Sequence, residues 1–413
     1  MRFEDYNIRA EIKRGIAQLG LKKPTDIQYK AIPNILNGED VLAIAQTGTG
    51  KTAAFAIPLL SILSRKKRRE RGDGIRAIVM APTHELALQI NKVINAIGKY
   101  TKLKSICLVG GVEQDPQIKL LQAGGDILVC TPGRLFDLHH QGYVQLKRCE
   151  ILVLDEADHM LDRGFKKDID DLLRFLPRQR QTLFFSATIN PEIKKLAYSL
   201  VQNPIRIQIS PKDPISKNVD HAVCFIEMDD KRFFLERFYN EHQSKKILAF
   251  VRTKVRAERV VKAMERVGIK AISIHGDKVQ KERSAALNAF INNEINLLIA
   301  TDVSARGIDI PGVEFVINYD LPEQAENYVH RIGRTGRGKS RGQAISFCSS
   351  SEKQLLEDIE AYTNQQIKEL TLDKAEYLQT IDLAVGNSKR LDDLLSEIEE
   401  IEEFRRKKKK SKK

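Results

Sequence analysis

A short glycine-containing segment, residues 45–52, constrains the fold of this chain more than any other feature. An apolar run at residues 41–44 precedes it, and the pattern from residue 51 to residue 63 is typical of a helix. A loop between a strand and a helix can bind phosphate, because backbone N–H groups and the positive end of the helix dipole face the anion. The segment therefore predicts an α/β domain with an anion site at the end of a strand.

The residue types of this loop predict a nucleoside triphosphate as the anion. Gly48 and Gly50 allow the backbone to close around phosphate oxygens, Lys51 can reach the β- and γ-phosphates, and the Thr52 hydroxyl can ligate Mg²⁺. The general pattern begins with glycine, whereas this chain has Ala45. A glycine turn without a ligand is the alternative, but it would not explain a lysine followed by a threonine at the helix start. We expect the following residues to bind the nucleotide: Ala45, Gln46, Thr47, Gly48, Thr49, Gly50, Lys51 and Thr52.

Length and composition limit the class of protein. A chain of 413 residues predicts two domains of about 150–200 residues each. No stretch is apolar over the length of a membrane span, and the N-terminus lacks the apolar core of a signal peptide. Five scattered cysteines argue against a disulfide framework and a zinc site, and they favour a cytoplasmic location. Eight positive charges of the net +13 lie in residues 405–413, so any polyanion-binding surface elsewhere must be local.

Buried-looking apolar runs alternate with helical patterns along both halves of the chain. In the first half, helices are predicted at residues 85–100 and 165–175, between strands at residues 41–44, 75–80, 105–109, 127–130, 151–154 and 182–185. In the second half, which has no phosphate loop, a second series of strands is predicted at residues 246–251, 270–274, 295–300, 314–318 and 344–347. Two prolines among polar residues at 209–218 predict a stiff linker between the halves. This alternation predicts parallel sheets covered by helices, with ligands at the carboxyl ends of the strands.

Two acidic residues directly follow the fifth predicted strand. Asp155 is placed to hold Mg²⁺ through its waters, and Glu156 is placed to orient and deprotonate an attacking water. The two acids could instead cap the next helix. Because Lys51 and Thr52 lie upstream in the same predicted domain, capping alone does not account for them.

Three further segments carry a family resemblance. Asp-Glu-Ala-Asp at 155–158, Ser-Ala-Thr at 186–188 and His-Arg-Ile-Gly-Arg-Thr-Gly-Arg at 330–337 resemble the signature motifs of the DEAD-box RNA helicases. The resemblance extends from Phe3 to about Ser349 and is closest to the bacterial RhlE-type group. It implies two tandem RecA-like domains, each a parallel sheet with helices on both faces, in an RNA-dependent ATPase that uses ATP and Mg²⁺. The implied boundaries are residues 1–208, a linker at 209–218, residues 219–368 and a C-terminal extension at 369–413.

The resemblance also implies roles around the nucleotide. Phe3 would stack on adenine, and the Gln28 amide, in a helix that Thr25 caps, would pair with the edge of the base. Asp309 would hold the ribose. Ser186 and Thr188 would couple the nucleotide state to domain orientation. Two arginines of the second domain, Arg334 and Arg337, would neutralise the transferred phosphoryl group as arginine fingers.

The remaining motifs resemble the RNA contacts of the family. The expected RNA-binding residues are Pro82, Thr83, His84, Gly110, Gly111, Thr131, Pro132, Gly133, Arg134, Arg252, Thr253, Gln280, Arg283 and Thr301. The family usually has arginine at the position of His84, so this phosphate contact is either absent or dependent on pH. Contacts to the sugar-phosphate backbone predict low sequence preference.

These features together predict an ATP-dependent RNA helicase. ATP and single-stranded RNA are expected to bind across a two-domain cleft, each favouring the closed state, so that short duplexes are unwound locally and hydrolysis releases the RNA. Two other functions are compatible with the same motifs. One is a nucleotide-dependent RNA clamp or RNP remodeller that does not unwind, and the other is a DNA helicase or translocase.

The C-terminal extension is open to several interpretations. Apolar residues at helical spacing between residues 391 and 404, with acidic residues between them, predict an acidic amphipathic helix before the basic tail. The helix could pack on the second domain, bind a protein or RNP partner, or compete with RNA for the tail. The tail itself could bind RNA phosphates or be a solvated end. We expect a monomer that does not bind membranes.

Overall fold

The computed structural model describes residues 2–46, 48–65, 74–209, 215–216, 218–305, 310–336, 341–371, 373 and 375–382. Within these residues the chain forms two compact units, one up to residue 209 and the other from residue 215 onward. Each unit is built on its own parallel sheet. No helix in these ranges is both long and apolar enough to cross a bilayer.

The first unit alternates strands and helices. Its strands are Val41–Ala45 (β1), Ala77–Met80 (β2), Ser105–Leu108 (β3), Ile127–Cys130 (β4), Ile151–Leu154 (β5), Gln181–Ser186 (β6) and Ile205–Ile209 (β7). Its helices are Ala10–Gln18 (α1), Asp26–Leu36 (α2), Lys51–Arg65 (α3), His84–Ile97 (α4), Asp115–Gln122 (α5), Pro132–His140 (α6), Ala157–Asp162 (α7), Lys166–Phe175 (α8) and Pro191–Leu200 (α9). The sheet order is β3-β4-β2-β5-β6-β1-β7, and all pairings are parallel.

Successive residues of the first sheet supply two separate cores. Ala43 and Val79 belong to a core on one face, under α1–α4, while their neighbours Leu42 and Ile78 belong to a core on the other face, under α6–α9. Side chains alternate across a strand, so a sheet covered by helices on both faces needs apolar residues at every position. This requirement explains the unbroken apolar runs of the sequence.

The second unit repeats the architecture. Its strands are Val219–Phe225 (β8), Ile247–Val251 (β9), Ala271–Ile274 (β10), Leu297–Thr301 (β11), Phe315–Asn318 (β12), Gly342–Cys348 (β13) and Lys368–Glu369 (β14). Its helices are Lys231–Glu241 (α10), Lys254–Arg266 (α11), Gln280–Ile291 (α12), Asp302–Ala305 (α13), Ala325–Ile332 (α14) and Lys353–Thr363 (α15). The sheet order is β10-β11-β9-β12-β13-β8-β14, again parallel, and a core that includes α10 and α11 covers one face.

The predicted fold of two parallel sheets is confirmed, and the predicted strands are found with ends shifted by up to two residues. Three strands were not predicted: β7, β8 and β14. The first two are only partly buried, and β14 is two exposed residues long, so none of them has the apolar run of a central strand. Ile209, assigned to the linker, ends β7, while residues 210–214 lie outside the described residues.

A buried network of charges joins several elements of the second unit. Lys231, at the start of α10, is fully buried and bonds Glu352 through its ammonium at 2.5 Å. The other Glu352 oxygen accepts a hydrogen bond from Arg252, which follows β9, at 2.7 Å. Asp320, after β12, pairs with Arg256 of α11 at 2.8 Å. Burial alone would raise the pKa of Glu352, but the Lys231 ammonium and hydrogen bonds from residue 349 hold that pKa below its usual value.

We predict that Glu352→Gln destabilises the second unit by roughly 3 kcal/mol, because it removes the nearer carboxylate partner of the buried Lys231 ammonium and leaves only Asp320, at 3.9 Å. Urea unfolding followed by far-UV circular dichroism measures the change. The matched control is Glu241→Gln, which removes the carboxylate of an exposed pair with Arg237 and should cost under about 1 kcal/mol. Equal losses in the two variants would contradict the prediction.

Candidate nucleotide and RNA site

The glycine loop runs from the carboxyl end of β1 into α3. Gly48 and Gly50 have φ values of 81° and 91°, in the left-handed region that side chains disfavour. The Thr49 hydroxyl donates to the Gln46 carbonyl at 2.8 Å and closes the turn. Lys51 begins α3 with only 6% of its surface exposed, and its ammonium has no hydrogen-bond partner among the described residues. Thr47 lies outside these residues.

Gln28 is bonded directly to this loop. Its amide nitrogen donates to the Gly50 carbonyl at 3.1 Å, and its amide oxygen accepts from the Thr25 backbone at 3.0 Å. A Cβ at residue 50 would lie 2.4 Å from that amide nitrogen, so a larger residue there would displace the Gln28 side chain from this hydrogen bond. Phe3 is buried in the core of the first unit. The sequence did not reveal the contact between residues 28 and 50, and the adenine roles of Phe3 and Gln28 stay predictions.

The two acids follow β5, and β6 separates that strand from β1. Because carboxyl ends of parallel strands share one edge, the acids and the glycine loop lie on the same edge of the sheet. Burial raises the pKa of Asp155 to about 6, and the nearby Lys51 ammonium opposes this shift. Glu156 has a left-handed backbone with φ 52°, a conformation that residues other than glycine adopt at a cost and that is frequent at functional sites.

Asp158 ties this acidic segment to the end of β6. One oxygen of its carboxylate accepts hydrogen bonds from the backbone of Ala187 at 3.0 Å and of Thr188 at 3.1 Å, and also from the Thr188 hydroxyl at 3.3 Å. Ser186, the last residue of β6, is fully buried, and its hydroxyl has no partner in the described parts of the chain. The sequence drew attention to Ser186 and Thr188 but gave no sign that Asp158 holds them.

The donor set fits a magnesium-bound nucleoside triphosphate. A buried ammonium without a partner is costly unless an anion neutralises it, and a phosphate at the glycine loop would do so for Lys51. The Thr52 hydroxyl and the Asp155 carboxylate are hard oxygen ligands, and Mg²⁺ is commonly bound by one or two such groups together with waters and substrate phosphates.

The predicted RNA motifs of the first unit follow β2, β3 and β4, which form the other half of the same sheet edge. Thr83 caps α4 by accepting from the Leu86 backbone at 3.2 Å. His84 Nδ1 lies 3.1 Å from the Gly110 carbonyl, which can only accept, so this nitrogen carries the hydrogen. The Arg134 guanidinium donates to the Val112 carbonyl at 2.8 Å. These contacts join the three loops, which carry Pro82, Thr83 and His84, then Gly110 and Gly111, then Thr131, Pro132, Gly133 and Arg134.

In the second unit the predicted residues also follow strands or begin helices. Arg252 pairs with Glu352, Thr253 caps α11 by accepting from the Arg256 backbone, and the Thr301 hydroxyl bonds that of Ser304. Gln280 begins α12, which also contains Arg283. Asp309 and Arg337 lie outside the described residues.

Two arginines of the last motif have different environments. Arg331 is 1% exposed and forms a bidentate pair with Asp302, at 2.5 and 2.7 Å, while its third nitrogen donates to the Asp320 carbonyl. Arg334 is also buried, and it donates from Nε to the His330 carbonyl at 3.2 Å. The sequence spacing did not distinguish an arginine that fixes the fold from one that is predicted to meet the nucleotide.

Comparisons with known proteins identify the family of this chain. Residues 25–196 match the family model described as DEAD/DEAH box helicase, and residues 230–339 match the helicase conserved C-terminal domain. The chain is 38% identical over 366 residues to an ATP-dependent rRNA helicase, RRP3 of Debaryomyces hansenii, covering 88% of this chain and 76% of that protein. It is also 38% identical to the DEAD-box ATP-dependent RNA helicase RhpA of Helicobacter pylori strain B128, covering 86% of this chain and 71% of RhpA.

Solved structures give the same result. Dbp5 of S. cerevisiae bound to RNA and ADP BeF3 is similar at a TM-score of 0.80 and 31% identity, over 94% of this chain and 99% of that one. Mss116p bound to ssRNA and AMP-PNP is similar at a TM-score of 0.81 and 28% identity, over 93% and 81%. Two RecA-like units and a phosphate-loop site define a phosphate-loop nucleoside triphosphatase of the α/β class. The chain belongs to the DEAD-box family of ATP-dependent RNA helicases.

We predict that Asp158→Asn speeds hydrogen exchange at the backbone amides of Ala187 and Thr188, because an amide accepts these hydrogen bonds less strongly than a carboxylate. Peptide-resolved exchange mass spectrometry of the nucleotide-free protein measures it. Asp171→Asn is the control, since that carboxylate pairs with Arg174 near the surface. Unchanged protection of residues 187 and 188 in Asp158→Asn would contradict the assignment.

Proposed function

We propose that ATP binding and single-stranded RNA binding are coupled in this helicase, and that the first unit supplies the catalytic base. The nucleotide part is carried by the Lys51 ammonium, which is buried near the Asp155 carboxylate and has no hydrogen-bond partner among the residues that the structure describes. The glycine loop and Lys51 bind the phosphates. Thr52 and Asp155 would hold a magnesium ion, which would neutralise phosphate charge when bound.

Hydrolysis needs one proton acceptor. Glu156 takes a proton from the attacking water while the water oxygen bonds to the γ-phosphorus. The bond from that phosphorus to the bridging oxygen breaks, and ADP leaves with the electron pair. Arg334 and Arg337 of the second unit neutralise the charge of the transferred group, and Asp309 holds the ribose. The hydrogen bonds from Asp158 to residues 187 and 188 support a role of Ser186 and Thr188 in coupling.

The RNA is held by its sugar-phosphate backbone, through the loops after β2, β3 and β4 and the predicted residues of the second unit. Backbone contact gives low sequence preference. Because ATP and RNA each favour the same closed state, each raises the affinity for the other. Short duplexes are then unwound locally, and hydrolysis releases the strand.

The finer assignments extend this proposal. A second domain from residue 219 to residue 368 and an RhlE-type subgroup are both proposed from sequence resemblance. Relatives such as RhpA, RhlB of Xanthomonas oryzae and CshA of Bacillus subtilis support the family and not this subgroup. The five cysteines are free thiols, which supports a reducing compartment such as the cytoplasm. A monomer remains our proposal for the oligomeric state.

The extension from residue 369 is proposed to recruit protein or RNP partners. Its start packs on α10 of the second unit, since Arg237 donates to Glu376 at 2.7 Å and the Tyr377 hydroxyl donates to Asp230 at 2.8 Å. The helix predicted between residues 391 and 404 and the basic tail lie outside the described residues.

We predict that RNA, but not DNA of matched sequence, stimulates steady-state ATP hydrolysis, and that Glu156→Gln lowers the stimulated rate by about 100-fold or more because the proton acceptor is lost. A coupled phosphate-release assay measures these rates. Equal stimulation by DNA would favour a DNA translocase. Stimulation by RNA without separation of a short labelled duplex would favour an RNA clamp. Rates independent of nucleic acid would refute the coupling.

We also predict that His84→Arg steepens the salt dependence of single-stranded RNA binding, raising the slope of log affinity against log salt by about 0.7 for one added phosphate contact. Fluorescence anisotropy with a labelled oligonucleotide, with a non-hydrolysable ATP analogue present, measures it at several salt concentrations. His140→Arg, at the opposite end of α6 from the RNA loop, adds the same charge and should leave the slope unchanged. Equal slopes in both variants would refute a phosphate contact at residue 84.

A further inference from the structure

A histidine and an arginine follow Glu156 along α7. His159 is 3% exposed, and its Nδ1 lies 3.6 Å from the Glu156 carboxylate. On the other side of the ring, Arg163 Nε lies 3.2 Å from His159 Nε2. The three side chains form a row from the half-buried Arg163 to the buried glutamate. Neither His159 nor Arg163 was assigned a role by the sequence motifs.

The arginine fixes the hydrogen position on the imidazole. A guanidinium is always protonated and can only donate, so Nε2 of His159 must accept. An imidazole that accepts at Nε2 is neutral and carries its hydrogen on Nδ1. That N–H is therefore the group nearest to the Glu156 carboxylate.

At 3.6 Å the contact is electrostatic and too long for a hydrogen bond. Catalytic hydrogen bonds are often long before substrate binds and shorten in the reacting complex. Glu156 also has a left-handed backbone, a strained conformation that persists only where contacts with the surrounding structure hold it. A base held by a neighbour that a third group orients is the general arrangement of activated catalytic groups.

We propose that His159 is a positioning residue for ATP hydrolysis: Arg163 holds it in the Nδ1–H form, and that N–H orients the Glu156 carboxylate toward the attacking water. The inference rests on the proposed role of Glu156 as the base. His159 touches neither the nucleotide nor the water in this scheme, so it acts through Glu156 alone.

The test is a set of variants in the full chain, assayed for RNA-stimulated ATP hydrolysis. His159→Phe keeps a ring but removes both nitrogens, and we expect kcat to fall about 10-fold, the scale typical for groups that orient a reacting residue. The KM for ATP and the affinity for RNA stay within about twofold, because the substrate contacts remain. His159→Asn places an amide N–H near the position of Nδ1 and recovers part of kcat. If His159 only filled space, kcat would not fall while KM stays unchanged, and His159→Asn would not recover part of kcat.

Two double variants sharpen the result. In the Glu156→Gln background, His159→Phe has no further effect on the residual rate of hydrolysis, because the carboxylate that His159 orients has been removed. As a single variant, Arg163→Met lowers kcat, and combined with His159→Phe it causes no further loss. If His159→Phe does not fold, Arg163→Met tests the proposal in its place. The controls are His140→Phe on the surface of α6 and Arg174→Met, an exposed arginine of α8, both with unchanged kcat.

Each outcome decides one question. Full kcat in His159→Phe, or independent additive losses in His159→Phe and Arg163→Met, would overturn the role of His159 while leaving Glu156 as the base. A full rate in Glu156→Gln would instead overturn the proposed function of Glu156. Loss of kcat with an equal rise in KM would indicate a distorted nucleotide site and would also overturn positioning.

Discussion

Lys51, Asp155 and Glu156 are charged side chains that the first sheet holds away from water at the carboxyl ends of its strands. Burial of a charge is costly unless another charge compensates it, and the raised pKa of Asp155 reflects that cost. A magnesium-bound triphosphate would supply both a polyanion for the ammonium and a cation for the carboxylate. The nucleotide-free protein is therefore arranged for a ligand that completes its electrostatics.

Backbone geometry keeps these charges in place. Left-handed glycines at 48 and 50 bring the loop back toward α3, and the Gln28 amide bonds the last of them. In the segment after β5, the Asp158 carboxylate fixes the turn after β6 by accepting hydrogen bonds from its backbone. The site is supported by hydrogen bonds between segments far apart in sequence, so a change in one segment is transmitted to the next through a few defined contacts. Such contacts are the physical basis that we propose for coupling between nucleotide and RNA.

The second unit uses buried charges differently. Its network around Glu352 and the bidentate pair of Arg331 with Asp302 join strands to helices. These charges already have their partners within the unit, so they stabilise structure without a ligand. Arg252 combines a predicted ligand contact with a structural one, since it is predicted to contact RNA and is bonded to Glu352. Its position before RNA binds is thus set by the fold.

Much of the fold and site was determined by the sequence alone. The apolar runs of β1, β5 and β9 are continuous because both faces of a parallel sheet are covered, and motif residues follow them because ligand sites lie at strand ends. The edge strand β7 and the strand of mixed burial that follows it in the chain, β8, were not predicted because their side chains are only partly buried, which leaves no continuous apolar run.

Only the tertiary structure decided which residues touch. Asp158 bonding residues 187 and 188, Gln28 bonding Gly50, and Arg163 fixing His159 beside Glu156 depend on the register of neighbouring elements and on side-chain direction. Sequence spacing specifies residue types and the face of an element, whereas hydrogen bonds require atoms within about 3 Å at a suitable angle. That geometry is fixed when the sheet and its helices pack together.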